Sequence, residues 1–544
     1  MKNIFFSCLF LLCCLSVAGK VPSKQKIRLT DNWEYLKGDL GGIWEAVRPF
    51  SPGNPETVPI WQKVTLPHCF NAEDAVDPDL NYYQGPGWYK TGLSIDNPYP
   101  DGRIVLDFEG AGQKADVYVY TTLVGQHVGG YDEWSVDITE AVDSFLKNDK
   151  LVKRFGGKVP LSIRCDNSRD LEMIPSDLSD FNLYGGLYRY LNLVYLPKAS
   201  FKQIRLEPEL SADRKEGVLK VKTTFYNPED IKEADVTVSV YDNNRKQLFT
   251  QTITGILPLG DQFLTEVKVK NPALWHVDNP ALYTCELTIN AAGQSLSAEE
   301  HFGFRQAEFK EKGPFFLNGK RLLLRGTHRH EDHAGVAQAM TEDMMRTEMQ
   351  MMMGVNFIRL GHYQQSEIIL RLCDELGILV WEEIPWCRGG LGGEIYKEQA
   401  RRMLTNMIGQ HRNHPSVIIW GLGNENDWPN DFNTFDKGAI RAFMKELHDL
   451  AHRLDDTRMT AIRRCEFCSD IVDVYSPSIW AGWYRGVFTD YKNVSEQEMQ
   501  KVKRFLHVEW GGDSHARRHS ENVFANLKGL ESGQGADERA GDAS

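Results

Sequence analysis

The C-terminal part of the chain alternates between strand-like and helix-like runs. After residue 305, short apolar runs are separated by amphipathic stretches such as 340–353 and 399–410. Strands that alternate with helices in this way imply a parallel sheet. Seven strand candidates can be counted, at residues 321–325, 356–360, 378–381, 417–420, 459–462, 472–476 and 504–508.

Two glutamates stand directly after strands of this series. Glu425 follows the fourth strand in Leu-Gly-Asn-Glu-Asn, and Glu509 follows the seventh in His-Val-Glu-Trp-Gly. An (α/β) barrel gathers its chemistry at the C-terminal ends of its strands. An isolated glutamate is usually a solvated surface charge, but two carboxylates that face each other are what glycoside hydrolysis requires. The pair therefore predicts a glycosidase site.

The first 305 residues have a different pattern. Residues 19–199 contain short alternating strands, for example 104–108, 115–120 and 161–165, with turn-forming residues between them. This predicts a β-sandwich or a jelly roll. Residues 200–305 repeat the all-β pattern at a spacing typical of an immunoglobulin-like sandwich. The resulting architecture is multidomain, with a catalytic (β/α)8 TIM barrel over 306–544.

The expected barrel is one strand short. Only 35 residues follow Glu509, and the stretch 532–542 has no apolar run. A seven-stranded barrel would expose two edges and part of its core, so either the count misses one strand or the barrel is C-terminally incomplete. We expect the incomplete barrel, because the final stretch is loop-like. On this interpretation the 544-residue chain is weakly active or inactive and associates through its open edge.

The N-terminus predicts export. A lysine precedes an apolar run from Ile4 to Leu15, and Ser-Val-Ala follows up to Ala18. This is the pattern of a signal peptide covering residues 1–18, too short to span a membrane. We expect a periplasmic or secreted protein that is not attached to a membrane after cleavage. A net charge of −13 disfavours a nucleic-acid partner.

The cysteines do not form a disulfide framework. Seven of them follow the predicted signal peptide, an odd and scattered set. Cys465 and Cys468 form a lone CxxC without a second pair, which argues against a zinc site. Incidental thiols or one local bridge are the expected alternatives.

Several short motifs occur together with the two glutamates. They are Leu66-Pro67-His68, 85–90 (Gly-Pro-Gly-Trp-Tyr-Lys), 185–189 (Gly-Gly-Leu-Tyr-Arg), 317–320 (Leu-Asn-Gly-Lys), 329–332 (Arg-His-Glu-Asp) and His362-Tyr363. In this order and spacing the chain resembles glycoside hydrolase family 2, the β-galactosidase and β-glucuronidase group. That family implies a sugar-binding jelly roll, an immunoglobulin-like domain and a catalytic barrel.

The resemblance also implies roles for individual residues. Glu425 would be the general acid/base and Glu509 the nucleophile, about 5–5.5 Å apart as in retaining enzymes. Asn424 would hydrogen-bond the sugar 2-hydroxyl. Arg359 would keep the nucleophile ionised, a role that overlaps with a structural buried ion pair.

Other positions would complete the sugar site. By the same resemblance, His330, Asp332 and His362 bind sugar hydroxyls, and Asp180 reaches in from the jelly roll. Trp480 stands where relatives often have a tyrosine that hydrogen-bonds the nucleophile, and Tyr484 is either an aromatic platform or core.

Catalysis by two carboxylates needs no cofactor. His328, His330 and His333 invite a metal interpretation, but His-Glu-Asp-His lacks the HExxH spacing of helical zinc sites. Some relatives use magnesium near the acid/base. We therefore expect that no metal is required and leave a bound Mg²⁺ as an alternative.

The sequence thus predicts a retaining exo-β-glycosidase, with β-galactosidase as the leading choice. A β-glucuronidase or a β-mannosidase is the alternative enzyme. A catalytically inert carbohydrate-binding protein is the alternative of another class, favoured by the missing strand. The expected partner is an oligosaccharide or glycoside, and a homo-oligomer is left open.

Overall fold

A computed structural model describes residues 25–48, 60–176, 178–179, 181–352, 354–388, 390–429, 434–484 and 486–511. The predicted signal peptide, Asp180 and the region of the expected missing strand lie outside these residues. Within the described ranges, no helix is both long and apolar enough to cross a membrane.

The N-terminal unit consists mainly of two antiparallel sheets. Its strands are β1 (Gln25–Arg28), β2 (Trp33–Lys37), β3 (Gln62–Val64), β4 (His68–Cys69), β5 (Pro86–Leu93), β6 (Arg103–Phe108), β7 (Lys114–Val119), β8 (Thr122–Val128), β9 (Trp134–Asp137), β10 (Val159–Asp166), β11 (Gly186–Leu187) and β12 (Leu191–Leu196). Its helices are α1 (Ile43–Val47), α2 (Thr139–Leu146) and α3 (Asp149–Arg154). The sheet orders are β1-β12-β6-β9 and β3-β2-β5-β10-β7-β8, and β4 pairs with β11.

Alternating side chains explain these strands. In β7 every second residue is buried, as expected when one face of a strand covers a core. Trp33, Tyr89 and Leu106 lie in the shared core between the sheets. The jelly-roll topology of this unit stays a prediction.

The second unit is also antiparallel. Its strands are β13 (Ser200–Leu210), β14 (Glu216–Tyr226), β15 (Ala234–Tyr241), β16 (Gln247–Ile256), β17 (Asp261–Lys270), β18 (Trp275–His276), β19 (Asn279–Pro280), β20 (Tyr283–Ala291) and β21 (Gln294–Phe302). One sheet has the order β13-β14-β17 and the other β16-β15-β20-β21. The immunoglobulin-like assignment of this unit likewise stays a prediction.

The third unit carries the parallel sheet. A small sheet of β22 (Ala307–Phe309), β23 (Phe315–Leu317) and β24 (Lys320–Arg321) precedes β25 (Gly326–Arg329), β26 (Phe357–Leu360), β27 (Leu379–Glu383), β28 (Val417–Asn424), β29 (Met459–Arg463) and β30 (Val474–Ser476). The helices are α4 (Glu342–Met351), α5 (Glu367–Leu376), α6 (Glu394–His411), α7 (Lys437–Leu454) and α8 (Tyr491–Lys501), with 3-10 turns at Glu466–Cys468 and Phe488–Asp490.

Strands β25 to β30 pair in parallel in chain order. The segment after α8 extends this sheet, because Tyr475 N–H donates to the Arg504 carbonyl at 3.0 Å and Leu506 N–H donates to the Tyr475 carbonyl at 3.1 Å. All five residues of β27 and all eight of β28 are buried, as in sheets covered on both faces. The parallel sheet predicted from the alternating pattern is therefore present.

The first predicted strand of this sheet was placed wrongly. Residues 321–325 do not form it, and β25 begins at Gly326. Lys320 and Arg321 instead pair antiparallel with β23 across a turn at Gly319, whose φ of +76° suits glycine. Leu322 and Leu324 pack against an apolar cluster that includes side chains of the parallel strands, so their hydrophobicity reflects core packing and not a strand.

A buried ion pair joins the N-terminal unit to the third unit. The Arg189 guanidinium lies 2.6 Å from the Glu331 carboxylate, with side chains 2% and 0% exposed. The same guanidinium donates to the Gln364 carbonyl at 2.7 Å and to the Tyr131 carbonyl at 2.8 Å. Both charges lie in sequence motifs of the chain, 185–189 and 329–332, so these motifs position the two units against each other.

Replacing Arg189 tests this contact. Arg189→Met leaves the Glu331 charge buried without its cation, and we expect the free energy of unfolding to fall by about 3–5 kcal/mol. Chemical denaturation measures the change. Arg346→Met is the control, because its pair with Glu375 is 3.6 Å long and about 40% exposed and should contribute less than about 1 kcal/mol. Equal effects of the two changes would contradict the prediction.

Candidate active site

The two glutamates predicted from the strand ends meet at one guanidinium. Glu425 follows β28 and Glu509 follows the segment that extends the sheet beyond β30. Arg463, the last residue of β29, contacts the Glu425 carboxylate through Nη1 and the Glu509 carboxylate through Nε. The Arg463 side chain is only 1% exposed. Because one small cation touches both carboxylates, they lie close together on the same end of the sheet.

Glu509 is held as an anion. Its Oε1 lies 3.6 Å from His328 Nδ1 and 3.8 Å from Arg359 Nη1. Burial alone would raise the pKa of Glu509, but the nearby His328 imidazole and the charges of Arg463 and Arg359 outweigh it and lower that pKa to about 2. The carboxylate is therefore ionised at neutral pH, as a nucleophile must be.

Glu425 is also surrounded by donors. The Trp428 indole N–H donates to its Oε2 at 2.8 Å, and Arg464 Nη1 lies 3.2 Å from its Oε1. Burial raises the pKa of Glu425, yet Arg463, Trp428 and Arg464 together lower it below the usual value. The backbone of Glu425 is left-handed, with φ +53°. Such a conformation costs about 1–3 kcal/mol in a non-glycine residue and persists where surrounding contacts enforce it.

A second buried network lies beneath these carboxylates. Arg359 donates to both oxygens of Glu383, at 3.1 and 2.7 Å, and to Asn424 Oδ1 at 2.9 Å. His362 Nδ1 lies 2.8 Å from Glu383 Oε1. Burial raises the pKa of Glu383 to about 7, although Arg359 opposes that shift. Arg359 was predicted to pair with the nucleophile. Its shorter contacts are to Glu383, and it lies 3.8 Å from Glu509, so its charge acts on both carboxylates.

Three histidines converge beside Glu509. Ligand nitrogens of His328, His330 and His362 lie within 4.8 Å of one another. His333, which the sequence grouped with the first two, instead contacts the Ala334 carbonyl at 2.9 Å. Burial, and then the neighbouring positive groups, lower the pKa of His330 to about 3 and that of His362 well below its usual value. Neutral imidazoles can hydrogen-bond the hydroxyls of a sugar, and the neighbouring Arg359 charge disfavours a divalent cation at this position.

A magnesium ion at the acid/base does not fit the surrounding groups. Mg²⁺ prefers several oxygen ligands in octahedral geometry. The Glu425 carboxylate instead faces two guanidiniums and an indole N–H. No catalytic step is therefore assigned to a metal at this position.

The remaining predicted sugar contacts lie around this centre. Asp332 is exposed and accepts a hydrogen bond from the Tyr184 hydroxyl at 3.3 Å. The centre of the Trp480 ring lies 5.4 Å from the Arg463 guanidinium carbon, so Trp480 contacts the cation that the two glutamates share. Tyr484 packs edge-on against Trp480 and is 56% exposed, which fits an aromatic platform and not core.

Sequence reasoning missed several residues of the site. They are Glu383, Trp428, Arg463 and Arg464. Arg463 and Arg464 directly follow the predicted strand 459–462, and Glu383 follows the predicted strand 378–381. The strand-end criterion that selected Glu425 and Glu509 would have selected these three as well.

Comparison with known proteins agrees with this architecture. The model for "Glycosyl hydrolases family 2, TIM barrel domain" matches residues 308–527, and that for "Glycosyl hydrolases family 2" matches residues 199–305. The chain belongs to glycoside hydrolase family 2, as its motifs predicted.

Three relatives illustrate the range of the family. A crystal structure of Parabacteroides merdae β-glucuronidase is 81% identical with a TM-score of 0.90, covering 92% of this chain and 65% of that one. A putative β-glucuronidase of Formosa agariphila is 39% identical, covering 92% of this chain and 58% of the relative. A β-galactosidase of Thermoanaerobacter pseudethanolicus is 30% identical, covering 90% and 62%. The chain thus spans about three fifths of the length of these relatives.

Removal of the shared cation tests the electrostatics of the site. The folded-state pKa of Glu509 lies below its usual value of 4.5, so its stabilisation is present above about pH 4.5 and is lost as pH falls toward 2. Arg463→Gln weakens that stabilisation. We expect the variant to lose about 1–2 kcal/mol at pH 7 relative to wild type, a difference that shrinks as pH falls from 4.5.

Unfolding measured in denaturant at several pH values gives this difference directly. Arg441→Gln is the matched control, because Arg441 pairs with Asp470 on the exposed side of α7. Its difference from wild type should stay small throughout. A pH-independent loss in Arg463→Gln would mean that the arginine acts by packing and not by charge.

Proposed function

We propose that this site hydrolyses β-glucuronides by a retaining double displacement. The observation that carries the proposal is the contact of both Glu425 and Glu509 with the single guanidinium of Arg463. Contact with one cation keeps the two carboxylates close to each other, which supports a proton donor and a nucleophile that act on the same glycosidic bond. Glu509, with a pKa of about 2, is the nucleophile, and Glu425 is the acid/base.

The choice of sugar rests on the relatives. Two of the three relatives described above, including the 81% identical one, carry the name β-glucuronidase. The β-galactosidase is 30% identical. This supports the glucuronide over the galactoside that the sequence favoured, and a galactoside remains the second candidate.

The two steps can be followed through the protein's own groups. Glu509 attacks the anomeric carbon, the bond to the leaving group breaks, and Glu425 transfers its proton to the departing oxygen. Water then enters, Glu425 takes a proton from it, and the hydroxyl oxygen displaces Glu509 from the sugar. Over the cycle Glu425 loses one proton to the leaving group and regains one from water, and Glu509 returns to its free carboxylate.

Arg463 links the two steps electrostatically. In the free site Arg463 and Arg464 lower the pKa of Glu425, so a bound sugar that excludes water must raise it for the first step. Once Glu509 is esterified, its charge is gone and the Arg463 charge acts on Glu425 alone. That lowers the pKa of Glu425 again, as its second role as a base requires.

A covalent probe tests both the nucleophile and the sugar. A cyclophellitol aziridine with a 6-carboxylate mimics the glucuronide, and the galactose-configured aziridine is its matched counterpart. We expect the carboxylate probe to add to wild type and not to Glu509→Gln, because only the ionised Glu509 can open the aziridine. Glu425→Gln should react at least about 100-fold more slowly, the contribution typical of general acid catalysis.

Intact-mass spectrometry and peptide mapping locate the adduct. Faster addition of the galactose-configured probe would favour a β-galactosidase. Sugar binding by calorimetry without addition of either probe would favour the inert carbohydrate-binding alternative.

The pH dependence tests the role of Arg464. Its charge lowers the pKa of Glu425, so Arg464→Gln should raise that pKa and keep Glu425 protonated to higher pH. We expect the basic limb of kcat/KM, measured with 4-nitrophenyl β-glucuronide, to move upward by about one pH unit. Arg346→Gln on α4 serves as control. A limb that moves downward, or equally in the control, would refute the assignment of Glu425.

A further inference from the structure

A cluster of two histidines and one aspartate lies apart from the sugar site. His448 and His452 occur in the α7 sequence His-Asp-Leu-Ala-His, and the spacing of four residues places both on one face of the helix. Asp473 directly precedes β30. Ligand atoms of the three residues lie within 4.8 Å of one another, and the centres of the two imidazole rings are 4.6 Å apart. The three side chains therefore share one small space.

This cluster lies at the end of the parallel sheet opposite to the sugar site. Asp473 Oδ2 accepts a hydrogen bond at 2.9 Å from the N–H of Thr460, the second residue of β29. Arg463, which contacts both glutamates, is the last residue of the same strand. A strand rises about 3.3 Å per residue, so the backbones of Thr460 and Arg463 are about 10 Å apart. The cluster is therefore separate from the groups assigned to catalysis.

The Thr460 hydroxyl fixes two members of the cluster. It lies 2.7 Å from His448 Nδ1 and donates to Asp473 Oδ2 at 3.1 Å. The Thr460 side chain is buried, so the hydroxyl is directed to these partners and not to solvent. Side chains that bind a metal are usually oriented by such outer hydrogen bonds. The arrangement thus has both a set of ligands and a group that positions them.

The charges around the cluster favour a cation. Asp449 and Asp473 act electrostatically on both imidazoles. Lys445 opposes them at His448, but its ammonium contacts both oxygens of Asp449 at 2.8 Å. The histidine group of the sugar site instead has the Arg359 charge beside it. The α7 cluster is therefore the better of these two histidine groups for a divalent metal.

A metal can replace a contact that is already present. His452 Nε2 lies 2.8 Å from Asp473 Oδ2, and the two side chains are 32% and 25% exposed. A ring nitrogen and a carboxylate oxygen at this distance share one proton, which a metal bound to both would displace. Zinc ligands at about 2.0–2.1 Å in a tetrahedron stand about 3.3 Å from each other, so this pair needs to open by about half an ångström. The partial exposure gives an ion access from solvent.

We propose that His448, His452 and Asp473 bind a zinc ion with water as the fourth ligand, and that the ion fastens α7 to the beginnings of β29 and β30. Two imidazoles and one carboxylate are ligands that zinc accepts in tetrahedral geometry. Magnesium and calcium prefer sites made of oxygen ligands. The role is structural, and it holds whichever sugar the opposite end of the sheet hydrolyses.

Metal titration of the full chain tests the site. After treatment with a chelator, we expect the wild type to bind Zn²⁺ in competition with a chromophoric chelator. His448→Gln and His452→Gln should each weaken binding by at least about 100-fold, because loss of an outer hydrogen bond alone costs about 10–100-fold. Thr460→Val removes such a bond and should fall within that lower range. His276→Gln is the matched control, since His276 forms a similar pair with Asp278 at 3.4 Å outside the cluster.

Protection of the histidines in the wild type provides a test that needs no variant. Diethyl pyrocarbonate attacks the free nitrogen of accessible imidazoles, and peptide mass spectrometry locates the products. At a Zn²⁺ concentration about ten times Kd, we expect about tenfold slower modification of His448 and His452, because that fraction of the sites is occupied. His276 should keep its rate. Mg²⁺ at the same concentration should protect neither histidine, and equal protection by Mg²⁺ would contradict the choice of zinc.

Thermal unfolding tests the fastening of α7. At a Zn²⁺ concentration about 100 times Kd, the unfolding midpoint of the wild type should rise by at least about 3 °C. The midpoint of His452→Gln should not respond. A wild type that binds Zn²⁺ without any rise would refute the structural role.

Two outcomes would overturn the site itself. One is Zn²⁺ that protects neither His448 nor His452, or that binds equally well after both are replaced. The other is binding that is lost in His330→Gln and kept in His452→Gln, which would place the ion at the sugar site. Glycoside hydrolysis enters none of these measurements, so failure of the proposed function leaves the zinc site standing, and failure of the zinc site leaves the proposed function standing.

Discussion

The contact that the site depends on is the sharing of one buried guanidinium between two carboxylates. Arg463 is almost fully buried and touches Glu425 on one side and Glu509 on the other. Burying three charges is costly unless each has partners of opposite charge and good geometry. The arrangement therefore holds only while β28, β29 and the segment after α8 keep their register. The chemistry of the site thus depends on the strand order of the parallel sheet.

A layer of buried polar groups supports this contact from below. Arg359 joins Glu383, Asn424 and His362 into one hydrogen-bonded network, with side chains that are nearly inaccessible to solvent. Such networks restrict their members to one geometry when every group is satisfied. Burial in this layer keeps His330 and His362 neutral, and the Arg359 charge adds to those of His328 and Arg463 in lowering the pKa of Glu509. The free site favours the carboxylate form of Glu425. Protonation of Glu425 therefore depends on binding of the substrate.

Much of this could be predicted from local sequence pattern, and the failures have physical reasons. Strand ends led to Glu425 and Glu509, because side chains that follow parallel strands must meet at one edge, whereas Asn424 came from the resemblance to the family. The run 321–325 was mistaken for a strand because Leu322 and Leu324 are apolar for a different reason, namely packing against the core of the third unit. Trp428 carries no periodic signal, since it acts through one hydrogen bond from a loop. His333 was grouped with His328 by spacing alone, and the fold replaces it with His362.

By itself, the sequence determined the family, the alternating strands and helices after residue 305, and the two acidic residues at strand ends, because periodicity and short motifs are local properties of a chain. Only the tertiary structure decided the ionisation of those residues. The pKa of Glu509 depends on its distances to His328, Arg463 and Arg359, which come from three different strands. Coulomb interactions depend on separation in space, and separation along the chain does not reveal it.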